Sequence, residues 1–204
     1  MMKQKNTKGV TPVGEVLFAH ILKTEIIKEK DTGKFSIMLK LSEKEKKAFL
    51  AKINDEWEKF KDTLAGKKLK YDPSFGLKEY QEVEYFKFTS NETIKLKSGE
   101  ILKRTVPIYD AKQQEISKKL NGIGNGSKVK IAYELVPFYM NDKSYGISLR
   151  LSAVQLLDLV EFGAQSAESF GFGVEEGYTA DESVEEQEET LDTPEEIDDE
   201  EGDF

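Results

Sequence analysis

The 204-residue chain has no cysteine. Disulfides, thiolate nucleophiles and cysteine-bound zinc are excluded together, and the composition suits a reducing cytoplasm. Histidine is almost as scarce: His20 is the only one. It falls inside a strand-like apolar run, where a histidine is ordinarily structural. Cys-His and Ser-His-Asp catalysis therefore lack their parts or their setting. No apolar run approaches the roughly 20 residues of a membrane span. The start, Met1-Met2-Lys3-Gln4-Lys5-Asn6, is basic but lacks the apolar segment of a signal peptide. No GxxxxGK[ST] loop occurs, and no grouping of histidine with carboxylates has metal-ligand spacing. Gly122-Ile123-Gly124-Asn125-Gly126 precedes a strand instead of opening a helix, so it reads as a turn and not as a dinucleotide site. The expectation is a chain that is not an enzyme and carries no cofactor and no metal. Glu82, Glu84 and Asp110 are the acids a two-metal nuclease would draw on, a minor reading because such chemistry needs preorganised carboxylates.

Lysine and arginine are missing from one part of the chain. Residues 164–204 hold 17 Asp or Glu and no cation, and they close on Asp198-Asp199-Glu200-Glu201-Gly202-Asp203-Phe204. A segment of one charge sign and few apolar side chains cannot bury enough surface to offset its ordering entropy, so a disordered acidic tail is expected. Like-charge blocks are often interaction tails, and an exposed terminal phenylalanine is a fitting anchor for a partner's pocket. The body carries all 30 Lys and Arg against the remaining 22 acids. This opposition of charge points to a basic surface for an anionic partner and a tail able to compete for it.

Hydrophobic periodicity divides the body. Residues 1–12 are polar, and with Pro12 they read as a flexible arm; residues 13–163 are long enough for one domain. Val13 to Leu22 is strand-like, and Phe35, Ile37, Leu39 and Leu41 alternate with Lys34, Ser36, Met38 and Lys40 as in a half-buried strand. Ser42 and Glu45 make a capping box for a helix of about 20 residues, on which Phe49, Leu50, Ile53, Trp57, Phe60 and Leu64 recur at helical spacing. Lys67 to Gln81 reads as a loop, Val83 to Phe88 as a strand, residues 91–100 as a hairpin arm and Ile101 to Tyr109 as a further strand. Ala111 to Leu120 is expected as a short helix. The last pair of strands is Val129–Leu135 and Tyr145–Leu151, continued by Val154–Val160 as helix or strand. Five or six alternating strands with inserted helices predict a mostly β protein, a five-stranded antiparallel barrel of the OB type, with an α+β sandwich as the alternative.

Cations and rings interleave in this body. Lys70-Tyr71, Phe86-Lys87-Phe88, Lys103 and Arg104 with Tyr109, Lys128 and Lys130, Phe138-Tyr139 with Lys143, and Arg150 form the candidate nucleic-acid contacts. Single-strand binders use such mixtures, with cations following phosphates and rings stacking bases at roughly 1–3 kcal/mol each. Parity sorts inward from outward positions: if Val83 and Tyr85 point in, Phe86 and Phe88 point out, as do Lys128, Lys130, Phe138, Ser148 and Arg150 if Val129 to Leu135 point in.

Asn125-Gly126-Ser127-Lys128-Val129-Lys130 through Gly146-Ile147-Ser148-Leu149-Arg150-Leu151, then Ala153-Val154-Gln155, resembles the final hairpin of phage single-stranded DNA-binding proteins. Val106-Pro107-Ile108-Tyr109-Asp110 and the acidic tail ending in Phe resemble the same group, over most of residues 13–163 in pattern. The resemblance implies an OB-fold protein that coats single-stranded DNA in phage replication and recombination, in the host cytoplasm. It also implies that Asp198, Asp199, Glu200, Glu201, Asp203 and Phe204 recruit replication proteins such as a polymerase or a helicase-primase. Bacterial relatives place Pro before the terminal Phe; Gly202-Asp203 here matches the phage version. No membrane partner is expected, and a homodimer is left open. Two other readings are a recombination strand-annealing protein and a protein-interaction module whose tail mimics nucleic acid.

Overall fold

A computed structural model describes residues 6–96 and 98–161. The acidic residues 164–204, Asp198 to Phe204 among them, lie outside the described residues. The elements in chain order begin with β1 (Thr7–Val10), β2 (Gly14–His20), β3 (Ile26–Ile27), β4 (Lys30–Asp31), β5 (Lys34–Lys40), α1 (Glu43–Lys61), β6 (Leu77–Tyr80) and β7 (Val83–Asn91). They continue with β8 (Thr93–Lys95), β9 (Ile101–Lys103), β10 (Ile108–Tyr109), β11 (Lys128–Asn141) and β12 (Ser144–Asp158).

The main sheet runs β1-β11-β2-β5-β7-β12-β10, and β11 also pairs with β12. Strands β2, β5, β7, β12 and β11 therefore close a ring. Every pair in that ring is antiparallel except β7 with β12, which meet in parallel where Thr89 faces Arg150. This five-stranded barrel is the OB-fold that the alternation predicts. Its interior is filled from all sides by Ile37, Leu39, Phe86, Ile131, Leu149 and their neighbours, each at most 1% exposed.

Helix α1 begins at the expected place. Ser42 accepts from the Glu45 N–H while the Glu45 side chain accepts from the Ser42 N–H, so two end groups of the helix are satisfied reciprocally. Phe49, Ile53 and Trp57 are buried on one stripe. The Phe49 ring meets Phe86 edge-on at 4.8 Å and Tyr133 at 5.1 Å, and Trp57 stacks on Tyr145 at 5.6 Å. Each such burial contributes roughly 1.5–3 kcal/mol, so the helix is fastened to the barrel by its rings.

The structure corrects several expectations. The N-terminal arm is a strand from Thr7 to Val10, paired with β11 and tied to the helix by a Thr7 hydroxyl that donates to Glu56 at 2.9 Å. Its polar side chains hide it from periodicity; what docks it is backbone pairing, with Gly9 so close to the Tyr133 hydroxyl that a Cβ would sit at 2.6 Å. The Lys67–Gln81 loop contains β6, joined to β7 through Gln81 and Glu82, both at positive φ without the usual glycine or asparagine. The strand expected over Ile101 to Tyr109 is two short strands, β9 and β10, on different sheets. The helix expected over Ala111 to Leu120 is a turn plus a 3-10 segment at Ser117–Lys119. Asp110 accepts there from the N–H groups of Lys112 and Gln114, an arrangement that competes with helix initiation.

Candidate nucleic-acid interface

Outside the barrel, β7 and β12 turn alternate residues to the surface. Thr89 on β7 faces Arg150 on β12, with Ser148 one outward position further along. The β8–β9 hairpin leaves the end of β7 and rises beside them. Its base is tied down where the Arg104 N–H donates to the Glu92 carbonyl at 2.6 Å and the Glu92 N–H to the Gly33 carbonyl at 2.9 Å. The first residue of β5, Lys34, completes the wall. A groove of about 480 Å³ results, lined by the cations Lys34, Lys95, Arg104 and Arg150. No carboxylate is among its lining residues.

Arg150 is held from behind. Its guanidinium lies 3.2 Å from the Glu134 carboxylate on β11, and Lys8 on β1 reaches the same carboxylate at 2.9 Å. The hydrogen bond from Lys8 holds the Glu134 carboxyl below its ordinary range, and Asn6, with the charges of Lys8 and Arg150, adds to this against the opposing effect of burial. Two cations thus share one anion, leaving a net positive charge at the Arg150 end of the groove.

The expected contact residues fall in separate places. Arg104 and Arg150 are in the groove, and Lys103 is exposed beside it, 3.9 Å from Glu92. Lys87 lies two positions along β7, gripped by the Glu25 carboxylate at 2.7 and 2.9 Å. Lys70, Tyr71, Phe138, Tyr139 and Lys143 surround the β11–β12 turn. There Lys70 pairs with Asp142 at 2.6 Å, and the Tyr71 N–H donates to the Tyr145 hydroxyl, which in turn donates to the Tyr71 carbonyl. Tyr139 stacks over Tyr145 and carries the Lys67 ammonium 5.6 Å above its ring. Lys128, Lys130 and Tyr109 are at the opposite end of the long hairpin, Lys128 paired with Glu15 at 3.1 Å.

Phe86 and Phe88 must be withdrawn from the surface. They are 1% and 0% exposed and pack against Phe49. The pairing of β7 with β5 sets Phe86 opposite Leu39 and Phe88 opposite Ile37, so the parity is the reverse of the one expected and Tyr85, Lys87 and Thr89 face out. Sequence reasoning missed Lys34 and Lys95. The only signal for either was its place in an alternating strand beside a turn. The nuclease acids are dispersed: Glu84 pairs with Lys46, Asp110 caps its own turn, and among the described residues no cluster of three or more His, Cys, Asp or Glu forms.

A second cleft, about 670 Å³, opens where β2 bulges between Leu17 and His20. Phe18 stands there at φ +51°, edge-on to Tyr80 at 5.1 Å. Its only charged linings are Lys23 and Glu161, so it has no excess of either sign.

No family model matches the chain. A single-stranded DNA-binding protein of Enterobacteria phage T3 is 37% identical over 102 residues, which cover 48% of this chain and 44% of that protein. The match thus spans less than half the length of the curated relative. Among solved structures, gp2.5, a single-stranded DNA binding protein encoded by bacteriophage T7, superposes with a TM-score of 0.64 at 19% identity, covering 87% of this chain and all of that one. The single-stranded DNA-binding protein of bacteriophage Enc34, in complex with ssDNA, gives a TM-score of 0.56 at 15% identity over 76% of this chain and 88% of that one. In sequence over about half its length, and in fold over most of it, the chain is similar to the single-stranded DNA-binding proteins of phages.

Proposed function

We propose that this chain binds single-stranded DNA without regard to sequence and coats it during phage DNA replication and recombination, in the cytoplasm of the host cell. One observation carries the reading: four cations, three on strands β5, β8 and β12 and one just past β9, converge on one groove that no carboxylate lines, at the outer ends of the second and third barrel strands, β5 and β7. That is the face on which OB barrels ordinarily take oligonucleotides. The sequence similarity to the T3 protein supports the same ligand. No reaction is assigned; the work is binding. The acidic tail is the part that meets replication proteins, with Phe204 as its anchor, and it competes with DNA for the cationic face.

Fluorescence anisotropy tests the reading. The full chain is expected to bind labelled oligo-dT well above a duplex of equal length. Changing Arg104 and Arg150 together to Gln should weaken oligo-dT binding by about 100-fold or more, since hydrogen bonds to charged groups contribute about 1.5–3 kcal/mol each. It should also lower the salt slope by about 1.4, or ~0.7 per lost phosphate contact on a single strand. Equal affinity for duplex and single strand, or an unchanged slope, would sink the proposal.

A further inference from the structure

A row of facing residues runs across the sheet into the groove. Lys8 on β1 stands opposite Glu134 on β11, Glu134 opposite Arg150 on β12, and Arg150 opposite Thr89 on β7. Facing residues in a sheet lie close enough for their side chains to interact. Arg150 and Thr89 line the groove; Lys8 and Glu134 do not. One carboxylate therefore joins the N-terminal strand to one of the groove's cations.

How that carboxylate is shared decides what Arg150 can do. Lys8 Nζ lies 2.9 Å from Glu134 Oε1, while Arg150 Nη1 donates to Oε2 at 3.2 Å and Asn6 Nδ2 to the same oxygen at 3.5 Å. A guanidinium and a carboxylate ordinarily meet through two parallel hydrogen bonds, fork to fork. Here one oxygen is held by the ammonium, and Arg150 reaches the other with a single nitrogen. A guanidinium has five N–H donors, so this one-point attachment leaves most of them for a phosphate. Holding the fold is a poor account of Lys8. Its side chain is 67% exposed, and exposed ion pairs add little to stability. Strand β1 is also docked without it, by its ladder with β11, by Thr7 on Glu56 and by Thr11 on Ile131.

We infer that Lys8 is a positioning residue for nucleic-acid binding: by occupying one oxygen of Glu134, it keeps Arg150 from closing a two-point pair with that carboxylate and leaves the guanidinium to the groove. The inference rests on the single-strand reading and adds to it an element, β1, that contributes no lining residue. Loss of the ammonium gives Glu134 wholly to Arg150. That neutralises the cation and draws its donors away from a bound phosphate.

The test is the anisotropy of labelled oligo-dT with the full chain at about 0.15 M salt, where exposed charges more than about 8 Å apart are largely screened. Lys8→Gln is expected to weaken binding by about three- to fivefold, the scale of a partly exposed ion pair. Lys8→Arg, which keeps the charge on Glu134, should hold wild-type affinity. The same Lys8→Gln change made in the Glu134→Gln or the Arg150→Gln variant is expected to have no effect, because a group it acts through is gone. If it still weakens binding in either background, Lys8 acts on the strand directly and the inference is overturned. Wild-type affinity in the Lys8→Gln single variant overturns it too. In both cases single-strand binding stands. Failure of the wild-type chain to bind oligo-dT defeats the single-strand reading itself. Melting temperatures confirm that each variant is folded, and should Glu134→Gln not fold, the Arg150→Gln background decides alone.

Discussion

At the scale of the residue, Phe88 shows where burial overrides local context. It sits between Lys87 and Thr89 in a run whose two parities are both partly apolar, so nothing local says which face is the core. The choice is made by β5, whose clean alternation fixes Ile37 and Leu39 inward and draws Phe88 and Phe86 after them through the register. Phe88→Ala is therefore expected to cost about 3–5 kcal/mol, the range for deleting a ring from a packed core, measured by urea denaturation. A surface stacking role would instead leave stability within about 0.5 kcal/mol. Strand β5 was legible as a strand from its uniformly apolar row of Phe35, Ile37 and Leu39, but it is not half-buried, because Ser36 and Met38 on its other face are buried too; the inward face of β7, a strand apolar on both sides, was not legible. The groove cations were half legible for a related reason. Arg104 and Arg150 stood beside aromatic or alternating neighbours, whereas Lys34 and Lys95 acquire meaning only when β5 and β8 are brought to one place.

At the scale of the element, the helix was the most readable part because its signals are local. Ser42 and Glu45 define the start, and Phe49, Ile53 and Trp57 the buried stripe. Ser42→Ala removes the acceptor for the Glu45 N–H and should lower stability by about 1 kcal/mol, typical of a lost N-cap. Chemical denaturation should read this loss with no change in affinity for oligo-dT, since α1 contributes no residue to the groove. Elements defined by pairing were harder to see. Strand β1 is polar, and β6 turns into β7 through Gln81 and Glu82, residues that seldom take positive φ. Both exist because a partner strand supplies their hydrogen bonds, and no short stretch of sequence records who that partner is.

At the scale of the molecule, the opposition between a basic body and a tail with 17 acids and no cation was plain from composition alone. Deleting residues 164–204 is expected to tighten oligo-dT binding at low salt and to matter progressively less as salt rises and screening shortens the reach of the tail's charge. Anisotropy titrations across a salt series check this, and an affinity that is unchanged or weaker after deletion would refute competition. The barrel itself was foreseeable as a class, since short alternating strands between turns admit few closed arrangements. Its closure carries a consequence for synthesis. Strand β1 pairs with residues 132–135, and the groove joins Lys34 to Arg150. Contacts so distant along the chain make folding slow and late. A polypeptide emerging from the ribosome therefore cannot complete this groove until its final hairpin, β11–β12, is out.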